Sequence, residues 1–291
     1  MARATPEDLA PIAGRVVQTL ALAAALFPSV EATVDAVDTA RALSGAPVWV
    51  ARRAGALVGH LTASIVPVGD HDEAWLSPDA WSYDALDDLA ALYADAASAW
   101  RVDGVREHVV WSFDDPRWTE GWLELGFARE VRRGARTSPA RPVSAPPGYR
   151  LRRARFQPTV AAALSALVDE AETGAPTFRR RPPVTDPAPD DRDGRWYVVE
   201  HRSEVVAQCL AMDYPPTLGV RTGTTHLSAV AVRPEHRRRG LARALVEYVA
   251  ARERASVLDV AWRTANRPAS ALWASRGFSP VAIGLRRTLP G

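Results

Sequence analysis

The two halves of this 291-residue chain repeat one pattern, and this repetition restricts the folds available to the chain. Hairpin-like segments match at a shift of 148 residues (197 − 49), and aromatic-glycine segments match at a shift of 151 (273 − 122). The matched pairs are Trp49-Val50 with Tyr197-Val198, Leu57-Val58-Gly59 with Val205-Val206-Ala207, Val109-Val110-Trp111 with Val260-Ala261-Trp262, and Trp122…Gly126-Phe127 with Trp273…Gly277-Phe278. Because the two shifts are nearly equal, we predict two copies of one fold in tandem.

A proline-rich segment separates the two copies. Residues 138–148 read SPARPVSAPPG, with four prolines and no apolar periodicity, which is typical of a linker. We therefore predict a first domain at 1–137, the linker at 138–148 and a second domain at 149–291. Hydrophobic residues make up 47% of the chain and charged residues 24%, which is the composition of a globular protein.

Hydrophobic periodicity predicts an α/β (α+β) protein with strands and helices in both halves. The predicted helices are 6–43 in two pieces broken at Pro28-Ser29, 84–100, 118–125, 159–172, 241–249 and 268–275. The predicted strands are the hairpin 49–64, 108–113, 149–153, the hairpin 196–212, 227–232, 257–263 and 281–288. Residues 176–194 are rich in Pro, Arg and Asp, and a loop of this length is usually a functional lid or disordered.

The stretch Leu227–Val246 combines three features of an anion site. Leu227–Val232 is a short apolar run typical of a buried strand, and Arg233-Pro234 ends it because proline cannot extend a ladder. A basic loop, His236–Gly240, follows and leads into apolar residues at helical spacing. The free N–H groups of a helix N-terminus, its dipole and the arginines would all attract an anion. The alternative is a solvated basic loop, since such motifs also occur by chance.

The order and spacing of residues favour the specific interpretation. Arg237-Arg238-Arg239-Gly240-Leu241-Ala242 resembles the Arg/Gln-x-x-Gly-x-Gly/Ala segment of the GCN5-related N-acetyltransferase (GNAT) family, and it follows Val232-Arg233-Pro234 as the family's segment follows Val-x-Pro. The family's Asn-x-x-Ala-x-x-x-Tyr-x-x-x-Gly-Phe pattern is also present, with Trp in place of Tyr. The matching residues are Asn266, Ala269, Trp273, Gly277 and Phe278. The resemblance extends from Tyr149 to Leu289.

This resemblance implies tandem GNAT-like folds, each a mixed, mostly antiparallel sheet flanked by helices. It also implies acetyl-CoA as cosubstrate, a primary amine of a small molecule or peptide as acceptor, and no metal. In the family the loop amides hold the pyrophosphate, a strand amide stabilises the oxyanion, and the Asn and Tyr positions contact the pantetheine arm. Carried over, the cofactor-binding residues are Val230, Ala231, Val232, Arg237, Arg238, Arg239, Gly240, Leu241, Ala242, Arg243, Asn266 and Trp273.

His226 is the first candidate for the base that removes the amine's proton. It lies on the strand leading into the loop, where some family members place a catalytic Glu, and an imidazole titrates near neutral pH. The alternative is a structural histidine that caps the strand and is hydrogen-bonded to a neighbour. Glu200, together with His201 and Glu204 on the preceding hairpin, is a weaker candidate, because a hairpin turn is usually a solvated surface.

Trp273 is the main departure from the family's pattern. The family's Tyr often protonates the departing CoA thiolate, whereas indole has no proton to transfer at neutral pH. A CoA thiolate can leave unaided, so the resemblance still implies activity, with Trp273 packing against the pantetheine arm. Asn266 has a structural alternative as a helix N-cap followed by Pro268, and this role is compatible with cofactor binding.

The first copy lacks the residues of this site. Leu86-Asp87-Asp88-Leu89 stands where the second copy has its basic glycine loop, and carboxylates at a helix N-terminus repel a pyrophosphate. Asp115 stands in the place of Asn266. We therefore predict a degenerate, non-catalytic first domain that shapes the acceptor groove or replaces a dimer partner. The protein would then be a monomer with an internal pseudo-dimer, or a homodimer.

Composition excludes several other classes. The net charge of +2 argues against a nucleic-acid-binding protein, despite a pI near 9. One cysteine, Cys209, excludes an internal disulfide and a cysteine metal cluster. Val16–Phe27 is apolar, but Glu7 and Asp8 precede it, so we interpret it as a buried helix and expect neither a membrane protein nor an exported one. The expected location is the cytoplasm.

Two functions remain in consideration. The first is an acetyl-CoA-dependent N-acetyltransferase with an unknown amine acceptor. The second is a non-catalytic acyl-CoA-binding or regulatory module that uses the same fold, which Trp273 and the degenerate first copy favour. Turnover with a panel of amines distinguishes the two.

Overall fold

The computed structural model describes residues 2–31, 47–137, 141, 143–173, 194–213 and 220–290. These residues form two compact units. Of the described residues, unit 1 comprises those up to Arg132, Val220 and those from Val281 onward, and unit 2 comprises 133–213 and 221–280. The second predicted N-terminal helix, the long predicted loop and four residues of the predicted linker lie outside the described residues, at 32–46, 174–193, 138–140 and 142.

The described residues form fourteen strands and six α-helices, among them the strands and helices that the periodicity predicted within these residues. The strands are β1 Ala2–Arg3, β2 Trp49–Arg53, β3 Ala56–Leu61, β4 Ser64–Val68, β5 His71–Leu76, β6 Trp81–Tyr83, β7 Glu107–Phe113, β8 Ala128–Arg136, β9 Arg150–Arg153, β10 Arg195–His201, β11 Glu204–Asp213, β12 Thr224–Val232, β13 Val257–Arg263 and β14 Ser279–Thr288. The helices are α1 Leu9–Leu26, α2 Leu86–Val102, α3 Pro116–Glu124, α4 Pro158–Thr173, α5 Leu241–Glu253 and α6 Arg267–Ser275. The sequence patterns had missed β1, β4, β5, β6 and β8.

Unit 1 contains two sets of strands. One is ordered β1-β2-β3-β6, and the other runs β4-β5-β7-β14. The pairing is antiparallel throughout except between β5 and β7, which are parallel. Aromatic side chains fill its core: Trp122 is fully buried and meets Tyr93 and Phe127 edge to face, with ring centroids 5.9 and 5.2 Å away.

Helix α1 is buried along one face only. Ile12, Val16 and Leu20 recur at helical spacing and are at most 1% exposed, whereas Leu22 on another face is 56% exposed. The segment Pro6–Leu26 is long and apolar enough to cross a membrane by length and composition, a test that core helices of soluble proteins and signal sequences near the N-terminus also pass. The predicted helix is present, but it is buried along one face only.

Unit 2 has a sheet whose two faces are covered by different helices. Its strand order is β13-β12-β11-β10-β9, with β12 and β13 parallel and the other pairs antiparallel. Along β10 and β11, side chains alternate between the faces because successive residues of a strand point to opposite sides. Tyr197 and Cys209 join the core under α5, while Trp196 and Leu210 join the core under α4.

The predicted repeat is confirmed by matching backbone details in the two units. The hairpin turns Ala54-Gly55 and Arg202-Ser203 both have positive φ at both central residues, and their shift is 148 (202 − 54). Each hairpin also carries a register shift before its turn, at Ala51/Arg52 and at Val199/Glu200. The aromatic pairs Trp122–Phe127 and Trp273–Phe278 have the same ring-centroid distance of 5.2 Å.

The last strand of each repeat lies partly or mostly in the unit formed by the other repeat. From Val281 onward β14 belongs to unit 1, where it pairs antiparallel with β7 from Ala282↔Phe113 to Thr288↔Glu107. Arg133–Arg136 of β8 belong to unit 2. Pairing between strands depends on their positions in space and not on their separation along the chain. Sequence order therefore does not decide which unit a terminal strand completes.

Candidate functional site

The strands β12 and β13 diverge in the middle of unit 2. Their parallel pairing runs from Thr224↔Val257 to Leu227↔Val260 and stops there, although β12 continues to Val232. The cause is a bulge in β12: Ala229 has a φ of +48°, and the register against β11 shifts opposite Gln208 and Leu210. Backbone groups of β12 beyond the bulge thus face a gap on the β13 side, where a ligand can reach them.

The loop after β12 has the backbone of an anion site. A 3₁₀ turn at Pro234–His236 precedes Arg237, and then Arg238 and Gly240 adopt left-handed conformations with φ of +63° and +78°. Such left-handed residues are typical of concave backbone segments whose N–H groups bind anions. Gly240 is the N-cap of α5 and supplies no side-chain hydrogen bond. The first N–H groups of α5 are therefore left without a side-chain cap at the point where the dipole is positive.

Two of the three loop arginines donate hydrogen bonds to nearby backbone carbonyl groups. Arg237 donates from Nε to the carbonyl oxygen of Val232 at 3.0 Å, and Arg239 donates from Nη2 to that of Glu235 at 3.3 Å. These bonds hold the loop against the end of β12. All three arginines are exposed, and a Cβ built on Gly240 would meet no atom within 4 Å, so the loop faces open space.

His226 lies on the paired part of β12, opposite Asp259 of β13. Its Nδ1 is 2.7 Å from Oδ1 of Asp259, which is 1% exposed, and the other carboxylate oxygen of Asp259 accepts a hydrogen bond from Nε of Arg133. Because a carboxylate only accepts, Nδ1 carries the hydrogen and Nε2 is the basic nitrogen of the neutral ring. Arg133 balances the buried charge of Asp259. This arrangement holds the imidazole in one orientation and one tautomer.

Asn266 and Trp273 flank α6. Asn266 is the N-cap, and its Oδ1 accepts a hydrogen bond from the amide of Ala269 at 3.1 Å, with Pro268 in the first turn. The structural role considered for Asn266 is thus present. Trp273 is 4% exposed and packs edge-on against Phe278 in the core under α5. It offers little surface to a ligand, and its predicted contact with the pantetheine arm stays a prediction.

Residues 164–278 match the acetyltransferase (GNAT) family. This match places a GNAT domain at residues 164–278. No curated protein matches the chain in sequence.

Solved structures extend the likeness to the whole chain. A GCN5-related N-acetyltransferase from Sphaerobacter thermophilus is 18% identical and has a TM-score of 0.62, with 99% of this chain and 95% of that chain covered. A tandem GNAT protein from the clavulanic acid biosynthesis pathway is 20% identical and has a TM-score of 0.55, with 100% and 98% covered. At these identities the likeness establishes the fold, and the predicted tandem of GNAT folds is confirmed.

The weaker base candidates of the GNAT domain are already engaged elsewhere. Glu200 receives a hydrogen bond from Arg152, and this bond lowers the pKa of the Glu200 carboxyl below its usual value. A carboxylate with a lowered pKa is a weaker base. His201 donates from Nδ1 to the carbonyl oxygen of Gly148 at 2.9 Å, and its ring lies 4.8 Å from that of Tyr149. Glu204 is exposed at the hairpin turn.

The corresponding helix of unit 1 is capped by its own carboxylate. Oδ2 of Asp88 accepts a hydrogen bond from the amide of Ala85 at 3.1 Å, and the same carboxylate pairs with Arg53 at 3.0 Å. The strand that matches β12 is also divided in unit 1: β5 pairs with β7, whereas β6 pairs with β3. The start of α2 is therefore occupied by a negative charge, in contrast to the start of α5.

The sequence reasoning missed Asp259 and Arg133, which orient His226. Alternation along β13 places Asp259 on the face opposite Leu258 and Val260, so the sequence gave no sign that this carboxylate is buried, and Arg133 is 126 residues away. A polar depression of about 660 Å³ lies at the other end of β12, and within its lining Arg195 pairs with both Asp213 and Glu253. Among the described residues, no group of three or more His, Cys, Asp or Glu is placed to hold a metal.

Proposed function

We propose that the GNAT domain binds acetyl-CoA and transfers its acetyl group to a primary amine of a small molecule or peptide. The observation that carries this proposal is the anion-type loop at Arg238 and Gly240, which leads directly from a bulged strand into an uncapped helix. The family supplies the reaction class, which is acyl transfer from a coenzyme A thioester. The acceptor is proposed only by its chemical class.

In this proposal the loop holds the pyrophosphate of the cosubstrate. Main-chain amides of 237–242 would bind its oxygens, because the first amides of α5 have no side-chain cap and the dipole favours negative charge. Arg238 and Arg243 would add full charge from the exposed surface, while Arg237 and Arg239 keep the loop folded. The pantetheine arm would then lie along the gap that opens after Leu227↔Val260.

The transfer step requires a neutral amine and a stabilised oxyanion. Nε2 of His226 would take the proton of the ammonium, directly or through a water molecule. The amine nitrogen would then bond to the thioester carbon, and an amide among Val230, Ala231 and Val232 would stabilise the oxyanion. The C–S bond would break, and the surplus proton of the nitrogen would pass to the thiolate or to water. The thiolate would leave without an acid from Trp273, because indole has no transferable proton at neutral pH.

The second candidate function is a non-catalytic acyl-CoA-binding module. It is favoured by the indole of Trp273, which leaves the usual acid position without a proton donor. In both cases we propose that unit 1 does not bind the cosubstrate, since Asp88 caps its corresponding helix. The cytoplasmic location, and a monomer or homodimer that binds neither nucleic acid nor membrane, stay predictions.

Calorimetric titration of acetyl-CoA tests the proposal with a matched pair of variants. Gly240→Glu should lower the affinity by about 100-fold or more, because it places a carboxylate where the pyrophosphate would lie. Gly55→Glu is the control: both glycines have positive φ, of +78° and +84°, and neither has an atom within 4 Å of its Cβ position. The control should bind acetyl-CoA like the parent protein.

The outcomes separate the alternatives. One site that is lost only in Gly240→Glu supports the proposal, and a subsequent screen of amines that measures free thiol distinguishes an enzyme from a binding module. Two sites would show that unit 1 also binds the cosubstrate. Absence of binding to the parent protein contradicts both functions.

A further inference from the structure

A buried carboxylate in unit 2 is surrounded by more arginines than it can neutralise. Glu247 of α5 is 1% exposed and receives hydrogen bonds from both Nη atoms of Arg136, at 2.9 and 3.3 Å. The amide of Arg141 donates to the same carboxylate at 2.9 Å. Burial by itself would raise the pKa of Glu247, but these hydrogen bonds lower it, so the carboxyl stays ionised at neutral pH. Glu247 is thus fully paired by Arg136 alone.

Three further arginines adjoin this pair. Arg276 is 8% exposed, and its Nη1 lies 3.7 Å from Oε1 of Glu247, which is an ionic contact but too long for a hydrogen bond. Arg141 places its Nη2 4.0 Å from the Cβ position of Gly277, the residue next to Arg276. Burial and the positive charge of Arg243 lower the pKa of Arg276, and Arg141 and Arg136 add to this effect. Two guanidinium groups, those of Arg136 and Arg276, therefore contact the one carboxylate, and the positive charges of Arg243 and Arg141 act on Arg276 as well.

Two donors of this cluster have no acceptor in the described part of the chain. Nη1 of Arg276 and Nε of Arg136 are buried without a hydrogen-bond partner. A buried N–H of a charged group without an acceptor is costly, and excess positive charge adds to that cost. Both costs disappear if an anion with several acceptor oxygens is bound. The cluster has the charge and the donors for such a ligand.

The position of the cluster relates it to the loop before α5. Gly240, Arg243 and Glu247 follow at three- and four-residue spacing, so they lie along one face of α5. At 1.5 Å per residue, the rise from Gly240 to Glu247 is about 10 Å. A ligand whose pyrophosphate occupies the loop could reach the cluster with a second phosphate group.

We propose that Arg276, Arg243 and Arg136 form a second anion site, which binds a phosphate monoester. The source of that group is either the 3′-phosphate of the acyl-CoA bound at the loop or a free phosphate. The first source rests on the proposed function, whereas the second does not. Arg136 stays paired with Glu247. Arg276 and Arg243 together supply the positive charge that binds the phosphate group.

The test compares acetyl-CoA with 3′-dephospho-acetyl-CoA by calorimetry in the parent protein and in Arg276→Gln. The parent should bind acetyl-CoA about 10-fold or more tightly than the dephospho compound, because charge-assisted contacts to the monoester are lost in the latter. In Arg276→Gln that preference should vanish, with the affinity for the dephospho compound unchanged. Arg243→Gln should reduce the preference partly. Arg252→Gln, an exposed arginine at the far end of α5, is the control and should keep it.

A second arm uses inorganic phosphate as the probe and the midpoint of thermal unfolding as the readout. If phosphate raises the midpoint of the parent but not of Arg276→Gln, while the two CoA compounds bind equally, the site takes a free phosphate. If the parent binds neither CoA compound, the proposed function is contradicted. The effect of inorganic phosphate on the unfolding midpoint then still tests whether the second anion site exists. Equal affinity for the two CoA compounds together with no effect of phosphate overturns the proposal.

The unfolding midpoint of Arg276→Gln without ligand tests whether Arg276 has only a structural role. If Arg276 served only to neutralise Glu247, its replacement would lower the unfolding midpoint without ligand, and both CoA compounds would weaken in parallel. Because Arg136 already pairs with Glu247, we expect the midpoint without ligand to stay the same or to rise. A parallel loss of both affinities would contradict the site.

Discussion

At the scale of single residues, the GNAT domain depends on how buried charges are arranged around its few functional side chains. His226 contacts Asp259, and Asp259 contacts Arg133, so a neutral set of charges lies beneath an imidazole whose side chain is 20% exposed. A buried carboxylate without Arg133 would be costly. Sequence reasoning selected His226 from its position on a strand, but the two residues that orient it come from other strands.

Replacement of His226 by Gln tests its proposed role as the base. We expect kcat for an amine acceptor to fall by about 100-fold or more, because a positioned base contributes about 10²–10⁴-fold. The affinity for acetyl-CoA should be unchanged, because His226 is not among the residues proposed to bind the cosubstrate. His71→Gln, at an exposed strand end of unit 1, is the matched control. An unchanged kcat in His226→Gln would assign proton removal to another group.

At the scale of elements, the terminal strand β14 completes the sheet of unit 1. Leu285 is 0% exposed and faces Val110 across the ladder, and Arg286 next to it pairs with Glu107 at 2.7 Å and with Glu130 at 2.7 Å. Burial and hydrogen bonds to these carboxylates keep the guanidinium in place between β7 and β8. The strand is therefore held by apolar packing on one face and by ion pairs on the other.

Leu285→Ala should destabilise unit 1, although Leu285 lies at the C-terminal end of the chain. Removing a fully buried leucine side chain costs about 2–5 kcal/mol of unfolding free energy. Hydrogen exchange of the β7 amides, followed by mass spectrometry, should then be faster, with less change at β10 and β11. Leu285→Met keeps the volume and should cost less than about 1.5 kcal/mol. Unchanged protection of β7 would show that β14 does not stabilise unit 1.

At the scale of the whole molecule, unit 1 contains buried histidines that make stability depend on pH. His60 is 0% exposed; its Nε2 donates to the carbonyl oxygen of Asp79 at 3.2 Å, and its Nδ1 accepts from Oγ of Ser82 at 2.8 Å. Burial lowers the pKa of His60 to about 4, and burial likewise lowers the pKa of His108 to about 4. Both rings are therefore neutral in the folded protein at physiological pH.

Unit 1 should lose stability as the pH falls from about 6.5 toward 4. In that window the unfolded chain binds protons that the folded chain does not, so the free energy of unfolding decreases as the pH falls. Above pH 6.5 both states are neutral at His60, and the histidine no longer lowers the stability. For His60 alone, the loss between pH 7 and pH 5 is about 2 kcal/mol. Urea unfolding at the two pH values, in the parent and in His60→Gln, measures it. Equal pH dependence in parent and variant would contradict the assignment to His60.

The sequence by itself determined the features that depend on neighbouring residues and on repetition. The loop Arg237–Gly240, the N-cap at Asn266 and the two hairpins with their left-handed turns follow from local backbone preferences, which a few adjacent residues set. The tandem fold followed from the repeat. By contrast, β8 was missed because its sequence, AREVRRGAR, carries charges where a strand pattern needs apolar residues.

Only the tertiary structure decided which distant groups meet. Arg133, whose side chain is 20% exposed, and Arg136, which is buried, donate hydrogen bonds to Asp259 and Glu247, and these partners are 126 and 111 residues away. The strand β14 pairs with β7, which is distant from it in the sequence. Strand edges and ion pairs act through space without a spacing along the chain, so local periodicity carries no information about them.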